Sequence, residues 1–412
     1  MLINTCIAAG ALSASMELED DPPPFDVVQW LSGPDREDFP WDVRVSAPFL
    51  TLQQRSAVEI RAFFDGGILR ERPVPHDLHF VVKVATGDNH WVPGCSHTRV
   101  PFPPQVGRFH AIEFADNVYL RPGLYTIALI AYDPILNKGN IWRRQVKVDA
   151  LKKDKLPELD RNLQNIDFTS KDHPMAEGRE WLPVNNKRSL CIDIVANTSM
   201  DWYLNPGLGR YWTAPHYSRA ARIREPSVKL TDVLQVASVL SHLGLQKGRV
   251  RVSIVDVLRV KTYLNREDAA VLDWQRANRI IEAGNPPTVD KDALASQTQA
   301  SAYLADKLSE ILEDDACAPG MEHPLKIVIV VSTDMVFAEH TPIRQIVPQG
   351  PASVLFFHYR IPKGIPADDD LGKMLKPANP RTVTVRDGLS FRKDLADLIS
   401  HLERIGGRTD AK

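Results

Sequence analysis

The chain is poor in cysteine, has no long apolar run and carries no surplus of either charge, and each shortage removes a class of function. Four cysteines stand among 412 residues, Cys6, Cys95, Cys191 and Cys317, far apart and with no Cys-x-x-Cys pair. Neither a zinc ribbon nor a redox dithiol is indicated; Cys191 lies inside an apolar strand and reads as core. No stretch reaches the roughly 18 apolar residues that a transmembrane segment needs. A formal net charge of −2 supplies none of the basic field that draws proteins to phosphate backbones, so nucleic acid is not an expected partner. Equally absent are a Gly-x-Ser-x-Gly elbow, a His-Glu-x-x-His helix and a phosphate loop. Gly207-Leu208-Gly209 lacks the third glycine of a dinucleotide fingerprint and follows the turn-prone Asn205-Pro206. No cofactor is expected on these grounds.

What is present is an ordinary globular composition, 43% hydrophobic and 25% charged, long enough for two or three domains. Residues 1–40 read as an N-terminal segment. Its weakly apolar start, Leu2 to Ala14, has the small residues of a remnant signal peptide but not the basic start. Export to the envelope and residence in the cytoplasm both stay open. Asp20 to Pro24 is an extended, proline-stiffened lead-in. Residues 41–150 alternate with period two over Val43–Val45, Val58–Phe64, Leu78–Val84, Phe109–Phe114, Tyr125–Tyr132 and Ile141–Val148. Turn-forming triplets at 65–67, 121–123 and 137–139 punctuate them. This pattern predicts an antiparallel β-sandwich with one buried face per sheet, immunoglobulin-like in class. Residues 151–187 turn polar and proline-bearing, a linker along the surface.

From 188 to 408 strands and helices alternate, which predicts an α/β domain with a mostly parallel sheet flanked by helices. The strands are Leu190–Ala196, Arg249–Val260, Lys326–Ser332, Val354–Ile361 and Thr382–Val385. Thr231 reads as the cap of a helix bearing Val233, Val236, Ala237 and Leu240 and ending at Gly244. Further helices use Ala270, Trp274, Ala277 and Ile281; then Ala300, Leu304, Leu308 and Ile311; then Phe391, Leu395, Leu398 and Leu402 before Gly406-Gly407. Residues 362–380 read as a surface excursion.

The first α/β strand runs into Asn197-Thr198-Ser199-Met200, and with the order of the later elements this resembles a von Willebrand factor A domain. The sandwich before it, with Tyr119 to Tyr125, Tyr132-Asp133-Pro134, Leu156-Pro157 and Ser332-Thr333-Asp334, resembles bacterial von Willebrand factor A-related proteins. The resemblance implies binding through a magnesium-holding loop of the form Asp-x-Ser-x-Ser. Here Val195 stands in place of the metal Asp and Asn197 in place of the first Ser; Ser199 alone matches. The family's further ligands, a Thr and an Asp, fall on Thr288 and Asp334. A residual cation site would use Asn197, Ser199, Thr288 and Asp334, each offering oxygen. The other reading has Asp334 capping a turn and Asn197 bonding its own backbone. The missing carboxylate weighs toward the second, because a hard divalent ion needs an oxygen-rich, anionic ligand set.

Residues 201–226 form a connection with an unusual composition: Trp202, Tyr203, Arg210, Tyr211, Trp212, Tyr217, Arg219, Arg222 and Arg224. These residue types dominate interface hot spots, so the loop is a candidate surface for another protein. Alternatively its aromatics pack beneath the loop or against the sandwich. Weaker candidates are a histidine-rich metal cluster, from His76, His79, His90, Cys95 and His97, and a carboxylate pair, Asp193 and Asp256, within apolar strands. Arg251 and Arg259 stand ready to pair with those two acids in a structural role. The whole reads as a non-enzymatic binding or adhesion protein, the alternative being a metal-dependent or hydrolytic enzyme with its site at the strand ends of the second domain.

Overall fold

A computed structural model describes residues 17–18, 23–72, 74–102, 111–152, 154–157, 165–168, 180–199, 230–283, 297–314, 324–337, 342–347, 354–362 and 369–407. The chain divides into two compact units. Met1–Phe49, Arg55–Lys153 and Gln164–Lys171 form the first; Leu50–Gln54, Asp154–Leu163 and Asp172–Lys412 form the second. Among the described residues, no helix is long and apolar enough to cross a membrane.

The first unit contains β1 (Glu17–Leu18), α1 (Val27–Ser32), β2 (Arg36–Glu37), β3 (Trp41–Val45), β4 (Phe49–Leu50), β5 (Ser56–Asp65), β6 (His76–Thr86), β7 (Ser96–Phe102), β8 (Ala111–Leu120), β9 (Gly123–Asp133), β10 (Lys138–Val148) and β11 (Ile166–Asp167). They build two antiparallel sheets in the orders β1-β7-β6-β9-β10-β2 and β11-β8-β5-β3. Period-two alternation sends Val58, Ile60 and Phe64 of β5 and Phe114 and Val118 of β8 inward. They meet Leu78, Phe80 and Val82 of β6 and Ile127 and Leu129 of β9 in one core. Phe80 and Phe114 stack across it, centroids 4.4 Å apart.

Three expectations for this part change. β7 was not foreseen, because its polar residues mask the alternation. The N-terminal segment read over 1–40 contains α1, whose start is capped by the Asp26 carboxylate accepting from the N–H groups of Val28 and Gln29 at 2.9 and 3.1 Å. At its other end an Arg143 Nη donates to the carbonyls of Leu31 and Gly33, each at 3.0 Å. Leu31 then packs on Val81, Ala128, Ile130 and Ile141, so the larger sheet is buried on part of its second face as well. Finally, the stretch read as a linker is built into the fold. Asp167 at its β11 pairs with the buried Arg55 at 2.7 Å, and Ile166 joins the core.

The second unit contains β12 (Leu182–Val184), β13 (Leu190–Asn197), α2 (Leu230–Ser241), β14 (Leu243–Leu245), β15 (Gly248–Asp256), β16 (Lys261–Asp268), α3 (Trp274–Ala283), α4 (Ala300–Glu313), β17 (Leu325–Thr333), β18 (Leu355–Ile361), α5 (Asp370–Leu375), β19 (Arg381–Thr384) and α6 (Gly388–Gly407). The main sheet has the order β16-β15-β13-β17-β18-β19, parallel throughout except for β16. Every residue of β13 is buried, as a central parallel strand covered on both faces requires. On one face Ile192, Ile254 and Ile329 pack under Val236, Leu240, Trp274, Phe391 and Leu395 of α2, α3 and α6. On the other, Val195, Val255 and Val330 pack under Leu304 and Leu308 of α4 and Leu371 and Met374 of α5. The protein is thus mixed α/β.

Several boundaries move. Thr231 is inside α2 rather than its cap, and Gly244 lies in β14, past the helix end. The strand expected over Arg249–Val260 stops at Asp256; a tight turn with Val260 at φ 52° sends the chain back as β16. Ala270 lies in a turn before α3, and Gly406-Gly407 sit within the last turn of α6. The excursion at 362–380 includes α5, whose Leu371, Met374 and Leu375 are buried. Leu182-Pro183, read as a breaker, forms β12, whose strand partner among the described residues is β14, in parallel, an edge position where a strand proline is tolerated. Leu156-Pro157 is strapped down by Arg392, which donates to both their carbonyls and to Asp154. Cys191 is buried in the core, as its apolar strand predicts, and is disulfide-bonded as well.

Candidate functional site

Counting only the parallel strands, their order is 2-1-3-4-5, with β13 first in sequence. The strand order therefore reverses between β13 and β17, and ligands of open α/β sheets bind at the carboxyl ends beside such a switch point. Register aligns those ends: Asn197 pairs with Val255, Ala196 with Val331, and Ser332 with Arg360. Parallel pairing thus brings Asn197 and Ser199, Asp256, Asp334 and Arg360 to one rim from four strands.

At this rim the oxygens of Asn197, Ser199 and Asp256 are committed to protein partners, while Thr333 Oγ1 and Asp369 Oδ1 are buried without one. The Ser199 hydroxyl lies 2.6 Å from the Asn197 amide oxygen and 3.0 Å from an Asp256 carboxylate oxygen, and accepts from the Leu258 N–H at 3.1 Å. Asn197 Oδ1 also accepts from the Ser199 N–H at 3.1 Å and the Val257 N–H at 3.4 Å. Asp256 pairs with Arg259 at 2.8 Å. Asp334, 2% exposed, is ion-paired with Arg360. Met335 fills the gap across the switch point, its sulfur 3.4 Å from Asn197 Nδ2. Val195 is core, packed with Val255 and Leu304. A divalent ion wants several oxygens with free lone pairs and net negative charge; here the amide oxygen is saturated, Asp334 is neutralised by a fixed cation and the leading carboxylate is a buried valine. These residues do not fit the ion.

Of the sequence-derived candidates, Asn197, Ser199 and Asp334 share the rim, while Thr288 lies outside the described residues. So do Trp202, Tyr203, Arg210, Tyr211, Trp212, Arg219 and Arg222. Arg360 and Asp369 were not anticipated. Their signal was in the sequence, an Arg and a His inside the apolar run 354–361 and an acidic run at 368–370, but only strand pairing shows that they meet. Burial pushes the Asp369 carboxyl above its ordinary range, the Asp334 charge adding to this and Arg360 opposing it.

Behind the rim, His358 Nε2 and the Ser332 hydroxyl are 2.9 Å apart, both buried. Burial, reinforced by Arg360, lowers the imidazole from 6.5 to about 4. The folded state therefore resists protonating His358 while the unfolded chain does not. Stability is intact above pH 6.5 and falls as pH drops toward 4, where this residue's contribution, about 3 kcal/mol, is lost. His358→Gln is expected to flatten that part of the pH profile of urea unfolding; an identical slope in variant and parent would refute the assignment.

The remaining candidates are structural. Asp193 takes two hydrogen bonds of 2.8 Å from Arg251. His76 is held between Asp133 and the Arg72 carbonyl, each at 2.7 Å. His79 and His97 face one another at 3.0 Å, and His90 is exposed. Cys95 is a free, partly buried thiol, pushed up by burial. The histidine cluster, a weaker candidate from the sequence, does not assemble among the described residues, where no group of three or more His, Cys, Asp or Glu could hold a metal.

No known family's sequence profile matches the chain, and no curated protein matches it. Solved structures give faint likenesses. A Bacteroides uniformis beta-glucuronidase matches with a TM-score of 0.19 and 8% identity over 26% of this chain and 13% of that one. A glycosyl hydrolase family 2 member from Bacteroides cellulosilyticus matches with a TM-score of 0.19 and 9% identity, over 40% and 19%. A calcium binding mutant of Bacteroides uniformis beta-glucuronidase 2 gives 0.18 and 9%, over 72% and 34%. The chain thus spans between 13% and 34% of the length of these proteins, and at such scores the likeness carries no argument about what it does.

Proposed function

We propose that this is a non-enzymatic protein-binding protein, an immunoglobulin-like sandwich joined to a von Willebrand factor A-like domain whose cation loop no longer holds an ion. The observation that carries this reading is the closed hydrogen-bond set at the strand ends: Ser199, Asn197 and Asp256 satisfy one another, and Asp334 is taken by Arg360. Among the described residues the Ser199 hydroxyl is committed in this way, the Thr333 hydroxyl is buried without a hydrogen-bond partner, and the Ser332 to His358 contact is buried as well. The sandwich reading is supported by Tyr125, whose hydroxyl donates to the Arg121 carbonyl at 2.9 Å, a corner found in immunoglobulin-like domains.

With metal-bridged binding gone, partner recognition falls to the aromatic and arginine side chains of the connection that leaves β13 at this rim. Trp202, Tyr203, Arg210, Tyr211, Trp212, Arg219 and Arg222 are its contact residues, and the partner is another protein, met outside the cytoplasm or in an envelope complex. In the full chain, Trp212→Ala and Arg219→Ala are expected each to weaken partner capture by about 2 kcal/mol, roughly 30-fold, with an unchanged unfolding midpoint. Lost stability with retained capture would instead make the loop a packing element. Hydrolysis of test esters or phosphoesters that depends on added magnesium would sink the non-enzymatic reading.

A further inference from the structure

The misfit between the rim and a divalent ion has a specific source. From β18, Arg360 directs its Nε to Asp334, and the same nitrogen lies 3.9 Å from a carboxylate oxygen of Asp369. Two acids from different segments, one after β17 and one before α5, thus converge on a single guanidinium nitrogen. Both are largely buried, at 2% and 14% side-chain exposure. Among the described residues neither has another cationic partner. One oxygen of Asp369 is buried with no hydrogen-bond partner, and the carboxylate is otherwise met by the backbone N–H groups of Gly372 and Met335 rather than by a second cation.

We propose that Arg360 is a built-in replacement for a divalent cation: it sits where an ion would lie between Asp334 and Asp369, making the rim metal-independent as built and a latent metal site once the guanidinium is removed. Like charges brought together in a low-dielectric setting repel unless a cation lies between them. A guanidinium fills that role permanently, since it does not lose its proton in proteins. The Arg360 side chain is itself 33% exposed, so its removal opens the site to water, and two carboxylates with that water offer the hard oxygen set that magnesium, manganese or calcium accepts. The proposal concerns the charge at the rim and stands apart from the identity of any partner.

The test uses the full chain and the metal ions alone. Thermal unfolding of the parent should be unmoved by magnesium, manganese or calcium. Arg360→Gln should unfold earlier in chelator and recover toward the parent when manganese is added. Titration calorimetry should show it binding manganese at least about tenfold more tightly than the parent, since a ligand specific to the native state stabilises it. Adding Asp334→Asn or Asp369→Asn to that variant should abolish the response, and Arg360→Lys, which restores a cation, should show none. A parent midpoint that rises with any of the three ions overturns the proposal, as does an Arg360→Gln variant no more responsive than the parent. Should Arg360→Gln be unfolded in chelator, refolding on addition of one of the ions supports the proposal, and failure to refold with all three overturns it.

Discussion

Arg251→Met is expected to cost the second unit about 3–5 kcal/mol, because it strands a buried carboxylate without its counter-charge. Arg251 donates Nε and Nη2 to the two oxygens of Asp193, both at 2.8 Å, and Nη1 to Asp314 at 3.0 Å. Asp193 is 2% exposed, so no water replaces the lost donors. Arg266, 3.8 Å from Asp193, is too far to hydrogen-bond in its place. The double variant Asp193→Leu with Arg251→Met is expected to recover most of the loss, since a well-packed apolar pair is often no worse than a buried ion pair. Urea unfolding of the two proteins checks both statements. A single variant costing less than about 1 kcal/mol, the worth of an exposed pair, would show that the bridge carries little.

Gly248→Ala should be more damaging still, with a loss above about 4 kcal/mol or no folded protein. Gly248 opens β15 opposite Leu190 of β13. Its φ is +130°, and an added Cβ would lie 1.9 Å from the Leu190 carbonyl oxygen, so the two central strands would have to part at their start. Gly94→Ala is the control. At φ +80° with nothing within 4 Å, it carries only the left-handed backbone penalty of about 1–2 kcal/mol. Equal losses at the two positions, each read from its own unfolding transition, would remove the steric argument.

These two sites also mark how far the sequence could be read. Apolar runs at 190–196, 326–332 and 354–361 announced buried parallel strands, and alternation at 58–64 and 125–132 announced the antiparallel sheets, because periodicity reports directly which faces are buried. Asp193 and Asp256 stood out as charges in apolar strands, and Arg251 and Arg259 were visible as partners. Misread were elements whose local signal contradicts their place. β16 carries four charged residues among eight, as suits an edge strand. α1 and α5 are six residues each, too short for a helical period to show. Pro183 lies in a strand whose partner among the described residues, β14, is on one side, where a proline's missing N–H is tolerated.

The rim shows the same division. That position 195 is an apolar valine, where the resemblance would put an acid, was plain in the residues. Covalent order alone could not show that Arg360 lies between Asp334 and Asp369, that Met335 meets Asn197, or that Ser199 reaches Asp256. Composition and periodicity determined two architectures and a chemically impoverished loop, since burial preference is a property of each residue and its near neighbours. Which charges neutralise which was decided by tertiary structure, because residues such as Leu190 and Gly248, or Leu190 and Leu325, far apart in the chain, are brought into register only by the sheet.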